Sequence, residues 1–407
     1  MITVLRNPSY AKLFSAQVIA LIGTGLLTVA LGLLAFEIAG GDAGLVLGTA
    51  MTIKMIAYVA ISPLTTALLA RAPRKTVLIG ADLLRAGVAL ALPFVSEAWE
   101  IYFLIFLLQS ASATFTPTFQ AVIPSVLPEE GDYTRALSLS RLAYDLEALL
   151  SPLLAAALLT VVSYHNLFAG TVVGFLVSAV LVMVTRFPPM DVSPPARFFD
   201  RLTRGAREFW TSRELRGLMG LNLVVSTATA MVLVNTVVLV QGELDRLQPD
   251  VALLLAAYGG GSMLIALVAP RLIELSTDRC VMGFGAAALP PLLLAGAVVL
   301  AVNDAAAQWP MLLVLWGLLG AATSSVLTPS ARLLRRNSTE QTRPAVFAAQ
   351  FSLSHACFLV TYPLAGILGA SVGLSSTMVI LACIGVLGAL ATAAAWHTGI
   401  RQESHQV

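Results

Sequence analysis

Twelve long apolar stretches leave this chain very few folds to adopt. A helix needs about 20 apolar residues to cross the ~30 Å hydrocarbon core of a bilayer. Runs near 13–36, 44–70, 76–95, 101–123, 137–162 and 166–185 meet that length, and so do runs near 217–241, 250–271, 280–302, 309–331, 345–370 and 376–397. The breaks between them are short and carry turn or charge signals, such as "AGGDAG", "RAPRK", "SEAWE" and "LPEEGDY". Strands are excluded, because the runs are too long and lack an alternating period of two. Composition agrees: only 11% of the residues are charged, against about 25% in a soluble protein. The first run follows "MITVLRNPSYAKLF" without a small-residue cleavage signal, so it reads as a retained first span. The sequence therefore predicts an all-α integral membrane protein of twelve transmembrane helices.

Lysine and arginine counts set the expected orientation, since cytoplasmic loops collect positive charge. With the N-terminus inside, 20 of the 24 basic residues fall on the cytoplasmic side, Arg246 falls outside, and Lys54, Arg85 and Arg141 lie within spans. Both termini are thus expected in the cytoplasm, with the protein in the cell (inner) membrane. The longest cytoplasmic connection, 186–216, divides the chain into an N-terminal six-helix bundle, 1–185, and a C-terminal one, 217–407. Within it, Phe198/Phe199, Leu202, Ala206 and Phe209/Trp210 recur at helical spacing with arginines between them. That pattern fits a basic amphipathic helix on the inner leaflet. The halves repeat each other: Pro117 and Pro329 open related segments, and Pro152 and Pro363 follow at almost the same offset. Two six-span repeats with a path between them are the architecture of many secondary transporters.

The charged residues inside spans are the candidate functional groups, because ionisable side chains in a bilayer are costly and functional by default. Arg141 and Asp145 stand at i and i+4, so they share a helix face and can pair. Glu147 points elsewhere and groups with Ser140, Tyr144 and Ser151. Either carboxylate is a candidate for exchanging a proton or a cation, and bracing of the inner end of the span is the structural alternative. Lys54, midway along span 2, needs a carboxylate partner or a wet cavity. His355 and Cys357 in span 11 are donors that suit nickel or zinc, although side chains two apart on a helix do not converge. Three cysteines, Cys280, Cys357 and Cys383, show no metal-ligand spacing. No Walker loop, nucleotide fingerprint or catalytic motif occurs, so neither an enzyme nor a cofactor nor a nucleic-acid partner is expected. The bilayer, protons and a small substrate are.

The segment "TALLARAPRKTVLIGADLLRAG" resembles the loop signature of the major facilitator superfamily, with Arg71, Arg74 and Lys75 in place and Ala70 where that family has an aspartate. Asp82 and Arg85, just downstream, are the residues that can stand in for the missing charge. "RNPSYAKLFSAQVIALIGTGLLTVALGLLAFEIAG" and "TFTPTFQAVIPSVLP" resemble the efflux branch that includes macrolide and enterobactin exporters. "SRLAYDLEALLSP" and "FAAQFSLSHACFLVTYPLAG" look most like the Nre/Nrs-type nickel-resistance permeases. The resemblance implies two pseudo-symmetric six-helix bundles, a monomeric state and a path lined by spans 1, 4, 7 and 10. On those spans the polar candidates are Gln17, Thr24, Gln109, Gln120, Asn222, Asn235 and Thr323. The implied function is secondary export by proton antiport. A divalent metal, nickel or cobalt, is the first substrate reading and a lipophilic drug or siderophore the alternative. A non-transporting membrane sensor or assembly partner is the alternative from another class.

Overall fold

The computed structural model describes residues 2–39, 43–161, 163–188, 197–302 and 305–397. Among these residues there is no strand. Twelve long helices follow one another: α1 Pro8–Ala39, α2 Ala43–Leu68, α3 Arg74–Ala91, α4 Ala98–Val126, α5 Glu130–Leu159 and α6 His165–Met183, then, after the shorter α7 Phe198–Thr211, α8 Arg213–Val237, α9 Gln248–Leu275, α10 Asp278–Leu300, α11 Ala305–Arg336, α12 Arg343–Val372 and α13 Leu374–His397. Among the described residues, eleven helices are long and apolar enough to cross a membrane. The helix α5 carries six charged residues among its 30.

Local chemistry explains several starts. Glu97 and Glu100 form a reciprocal capping box at α4. The hydroxyl of Ser212 accepts from Leu215 N–H at α8, and that of Thr277 accepts from Cys280 N–H at α10. Each satisfies a donor that a helix end would otherwise leave bare. Prolines lie inside α2, α4, α9, α10, α11 and α12, which membrane helices tolerate because neighbours re-satisfy the freed backbone groups. At the end of α8 the backbone widens into a π-helical turn, Val238–Glu243.

The chain forms two compact units. The first comprises residues 1–136, 146–206 and 338–355, the second 137–145, 207–337 and 356–407, so that α5 and α12 each contribute to both. Within the first unit α1 packs on α6, α2 on α4, and α3 on both α4 and α6. Within the second, α8 packs on α13, α9 on α11, and α10 on both α11 and α13. The pairing scheme is the same in each, as the sequence repeat implies.

Small residues set the closest approaches. A Cβ added to Gly261 on α9 would lie 1.8 Å from the carbonyl oxygen of Gly317 on α11. One added to Gly320 would lie 1.9 Å from that of Tyr258. The two backbones touch with no side chain between them.

The linker helix divides its apolar residues between two faces. Gly205 and Phe209 are buried, and Leu202 is half-buried, whereas Phe199 and Trp210 remain exposed. Gly205 is where α7 meets α12: a Cβ there would sit 2.2 Å from the carbonyl oxygen of Ala345.

Candidate functional site

The charges of α5 separate into two environments. In the second unit, Arg141 Nη2 lies 2.9 Å from Asp145 Oδ1. Ser262 of α9 completes the group: its hydroxyl accepts from Arg141 Nε at 3.1 Å and Nη2 at 2.9 Å, and donates to Asp145 Oδ2 at 2.6 Å. Asp145 is buried, and both its oxygens are engaged. The i, i+4 pair expected from the sequence forms, and a serine from another helix locks it.

Glu147 belongs to the first unit and is held quite differently. Ser151, one turn on, donates its hydroxyl to Glu147 Oε1 at 3.3 Å. Both side chains rest against Gly25 of α1, where a Cβ would fall 1.9 Å from Ser151 Oγ and 2.7 Å from Glu147 Oε1. The absence of a side chain at position 25 thus makes the cradle in which the carboxylate sits. The cation that acts on Glu147 is Lys54 of α2. The ammonium of Lys54 stands 5.6 Å from the centroid of the Tyr58 ring, a cation–π placement that partly replaces lost hydration. Tyr58 meets His355 edge-on at 4.7 Å and Phe351 at 4.8 Å.

His355 is an aromatic packing partner here. Its Nδ1 lies 2.6 Å from the carbonyl oxygen of Phe351. A carbonyl can only accept, so this bond places a proton on Nδ1. Cys357 lies in the second unit and half-buried. Among the described residues no group of three or more His, Cys, Asp and Glu is arranged to hold a metal ion.

The loop candidates also divide. Arg74 donates to the carbonyls of Ala121 at 3.4 Å and Glu340 at 3.1 Å, and Lys75 to that of Thr185 at 3.0 Å. Asp82 and Arg85 pair with each other inside α3, both buried. Ser178 of α6 donates to Asp82 at 2.8 Å, and the Arg85 guanidinium lies between the rings of Phe115 at 4.3 Å and Phe175 at 4.5 Å. In the second half, Asp278-Arg279 falls where the loop signature of the first half has Ala70-Arg71. Asp278 is buried and bridges Arg332 at 2.8 Å and Arg336 at 3.0 Å. Next to it, Arg279 pairs with Glu214, which also accepts from Asn337.

Of the polar path candidates, Gln17, Asn222, Asn235 and Thr323 are buried, and Gln109 and Gln120 are half-buried. Thr24 bonds back to Ala20 at 2.9 Å, and Asn235 donates to the carbonyl of Ala365 at 3.1 Å. The first bond stays within α1, whereas the second ties α8 to α12. Sequence reasoning missed Ser262, Gly25 and Tyr58, which carry no charge. The glycine run before Ser262, "YGGGS", is the one local signal that α9 approaches a neighbour closely.

Helix content, repeated pairing and charged span together define a polytopic transporter fold. The profile of the Major Facilitator Superfamily matches residues 13–289, and the chain belongs to that superfamily. It is similar to macrolide efflux protein A of Streptococcus pyogenes, with 27% identity over 44% of this chain and 45% of that protein. It is also similar to macrolide efflux protein A of Enterococcus faecalis, with 28% identity over 35% of this chain and 47% of that one. The chain thus spans less than half the length of the curated relatives it matches. The crystal structure of the human organic anion transporter MFSD10 has the same fold, with a TM-score of 0.77 at 12% identity over 95% of this chain and 99% of that one.

Proposed function

We propose that the protein exports an amphiphilic organic molecule across the cell membrane in exchange for protons, with both termini cytoplasmic. On this reading 1–185 and 217–407 are the two bundles and 186–216 the connection between them. The observation that carries the coupling is the contrast between the carboxylates of α5. Asp145 has its charge compensated by Arg141 and both oxygens bonded. Glu147 has one neutral hydrogen bond, in a cradle opened by Gly25, with Lys54 as the cation within electrostatic reach. A proton arriving at Glu147 releases Lys54 from its counter-charge, and a proton leaving restores it. Such a switch biases a two-state element.

The organic substrate is supported by two observations. The relatives matched by sequence are macrolide efflux proteins, and the polar residues on α1, α4, α8 and α11 are amides and hydroxyls rather than a chelating set. The nickel or cobalt reading rests on His355 and Cys357, which the described residues do not join to a third donor.

The test is accumulation of a macrolide and of a lipophilic dye in cells with and without the protein, alongside growth in graded nickel. Lowered accumulation with unchanged nickel tolerance is expected. The reverse outcome replaces the organic substrate with the metal. In liposomes, Glu147→Gln is expected to abolish transport driven by a pH gradient while leaving substrate exchange partly intact. Wild-type, gradient-dependent transport in that variant would remove Glu147 from the coupling step.

A further inference from the structure

Away from α5, the first unit contains a cavity of about 780 Å³. It opens where the end of α2, the turn into α3, the residues after α6, the helix α7 and the start of α12 meet. Six cations line it: Arg71, Arg74, Lys75, Arg186, Arg201 and Arg204. Among the described lining residues there is no carboxylate.

Like charges gathered on one wall repel, so such a cavity is stable only if something relieves the repulsion. Protein groups relieve it in part. Arg74 and Lys75 donate to backbone carbonyls, and Glu340, outside the lining, acts on Arg74. Arg343 repels that same guanidinium. No ion pair closes Arg71, Arg186, Arg201 or Arg204 among the described residues. The Nε of Arg201 is buried with no hydrogen-bond partner, a state that costs free energy until an acceptor arrives. The remaining wall is partly apolar, with Leu69, Met183 and Val184, and partly hydroxyl-bearing, with Thr118 and Thr185.

We propose that this cavity binds an anion carrying two or more phosphate groups. Guanidinium forks match phosphate oxygens two at a time, which a single carboxylate or chloride would not exploit across several arginines. The volume suits a ligand of small-molecule size. Because Arg201 and Arg204 come from α7, Arg71 from the α2–α3 turn and Lys75 from the first turn of α3, the bound anion would tie the connecting helix to the start of α3. Two sources offer this chemistry: the headgroup of a bisphosphate lipid such as cardiolipin, and a soluble polyphosphate.

The experiment uses the purified full-length protein in non-ionic detergent, freed of lipid. Inorganic tripolyphosphate is titrated calorimetrically, and cardiolipin binding is counted by native mass spectrometry. One saturable site is expected for at least one probe. Saturation by tripolyphosphate alone identifies a soluble ligand, saturation by cardiolipin alone a lipid, and mutual displacement a site open to both. The triple variant Arg71→Gln, Arg201→Gln, Arg204→Gln is expected to weaken binding by about tenfold or more. Ala72→Glu, which keeps every arginine and adds a carboxylate to the lining, is expected to weaken it as well. Arg197→Gln, one charge lost from the same segment outside the lining, is expected to leave binding within about twofold. Absence of saturable binding by either probe overturns the proposal. So does an equal loss in Arg197→Gln, which would mean attraction to general surface charge.

Discussion

One missing Cβ decides where Glu147 rests. With glycine at position 25, Ser151 and Glu147 lie directly against the backbone of α1, and any larger residue would meet the serine oxygen at 1.9 Å. Gly25→Ala is therefore expected to displace Ser151 and Glu147 together. Overpacking of this kind costs about 1–3 kcal/mol. Its functional signature is a shift in the pH dependence of efflux at preserved expression, measured in liposomes at a series of internal pH values. A variant with the wild-type pH profile would show that the cradle is packing alone. At the same scale, Ser262 distinguishes the two carboxylates: it bonds Asp145 and Arg141 at once, a role that no pattern of charges along the chain announces.

At the scale of single helices, α3 carries a buried ion pair whose surroundings are aromatic. Removing one partner leaves the other charge uncompensated, which in buried pairs costs about 3–5 kcal/mol. Asp82→Ala is expected to lower the melting temperature sharply in detergent. Asp82→Leu combined with Arg85→Met should recover much of that loss, since apolar replacement of a whole buried pair is often neutral. Wild-type melting in Asp82→Ala would assign the pair little structural weight. Much of this level was legible in advance. Apolar length located the helices, and i, i+4 spacing located the Arg141–Asp145 pair. The ends were less legible, because polar residues continue a helix beyond the hydrocarbon. Thus α5 starts at Glu130 rather than near 137, with Glu130 and Asp132 in its first turn, where the helix dipole favours acids. The apolar residues of α7 read as one face but form two, since Gly205 lets the helix press on α12 and so turns Phe209 inward while Phe199 and Trp210 stay outside. Contacts made by uncharged residues from distant helices, such as Gly25 and Ser262, had no counterpart in local spacing.

For the whole molecule, the loop charges predict a topology that chemistry can read. Cys280 and Cys383 are exposed and Cys357 half-buried, so labelling begins from a variant with all three replaced. Single cysteines at 96–98 are expected to react with an impermeant maleimide in intact cells, and those at 332–337 only after permeabilisation. The reverse pattern would invert the orientation. Buried Asp278 with its two arginines, set against Ala70 in the first half, also predicts asymmetry between the repeats. Asp278→Asn should impair transport more than Ala70→Asp improves it, measured as initial rates at equal protein.

The glycines of α9 and α11 bear on how this chain can vary over evolutionary time. Where two helices meet carbonyl to Cα, no neighbouring side chain can shrink to make room for a substitution. Compensation by a second change, the ordinary route by which cores drift, is closed at such a spot. In a saturation library scored for function, positions 261 and 320 should be two nearly blank columns amid permissive lipid-facing neighbours. Their emptiness would follow from geometry at one crossing, whatever the transported molecule turns out to be.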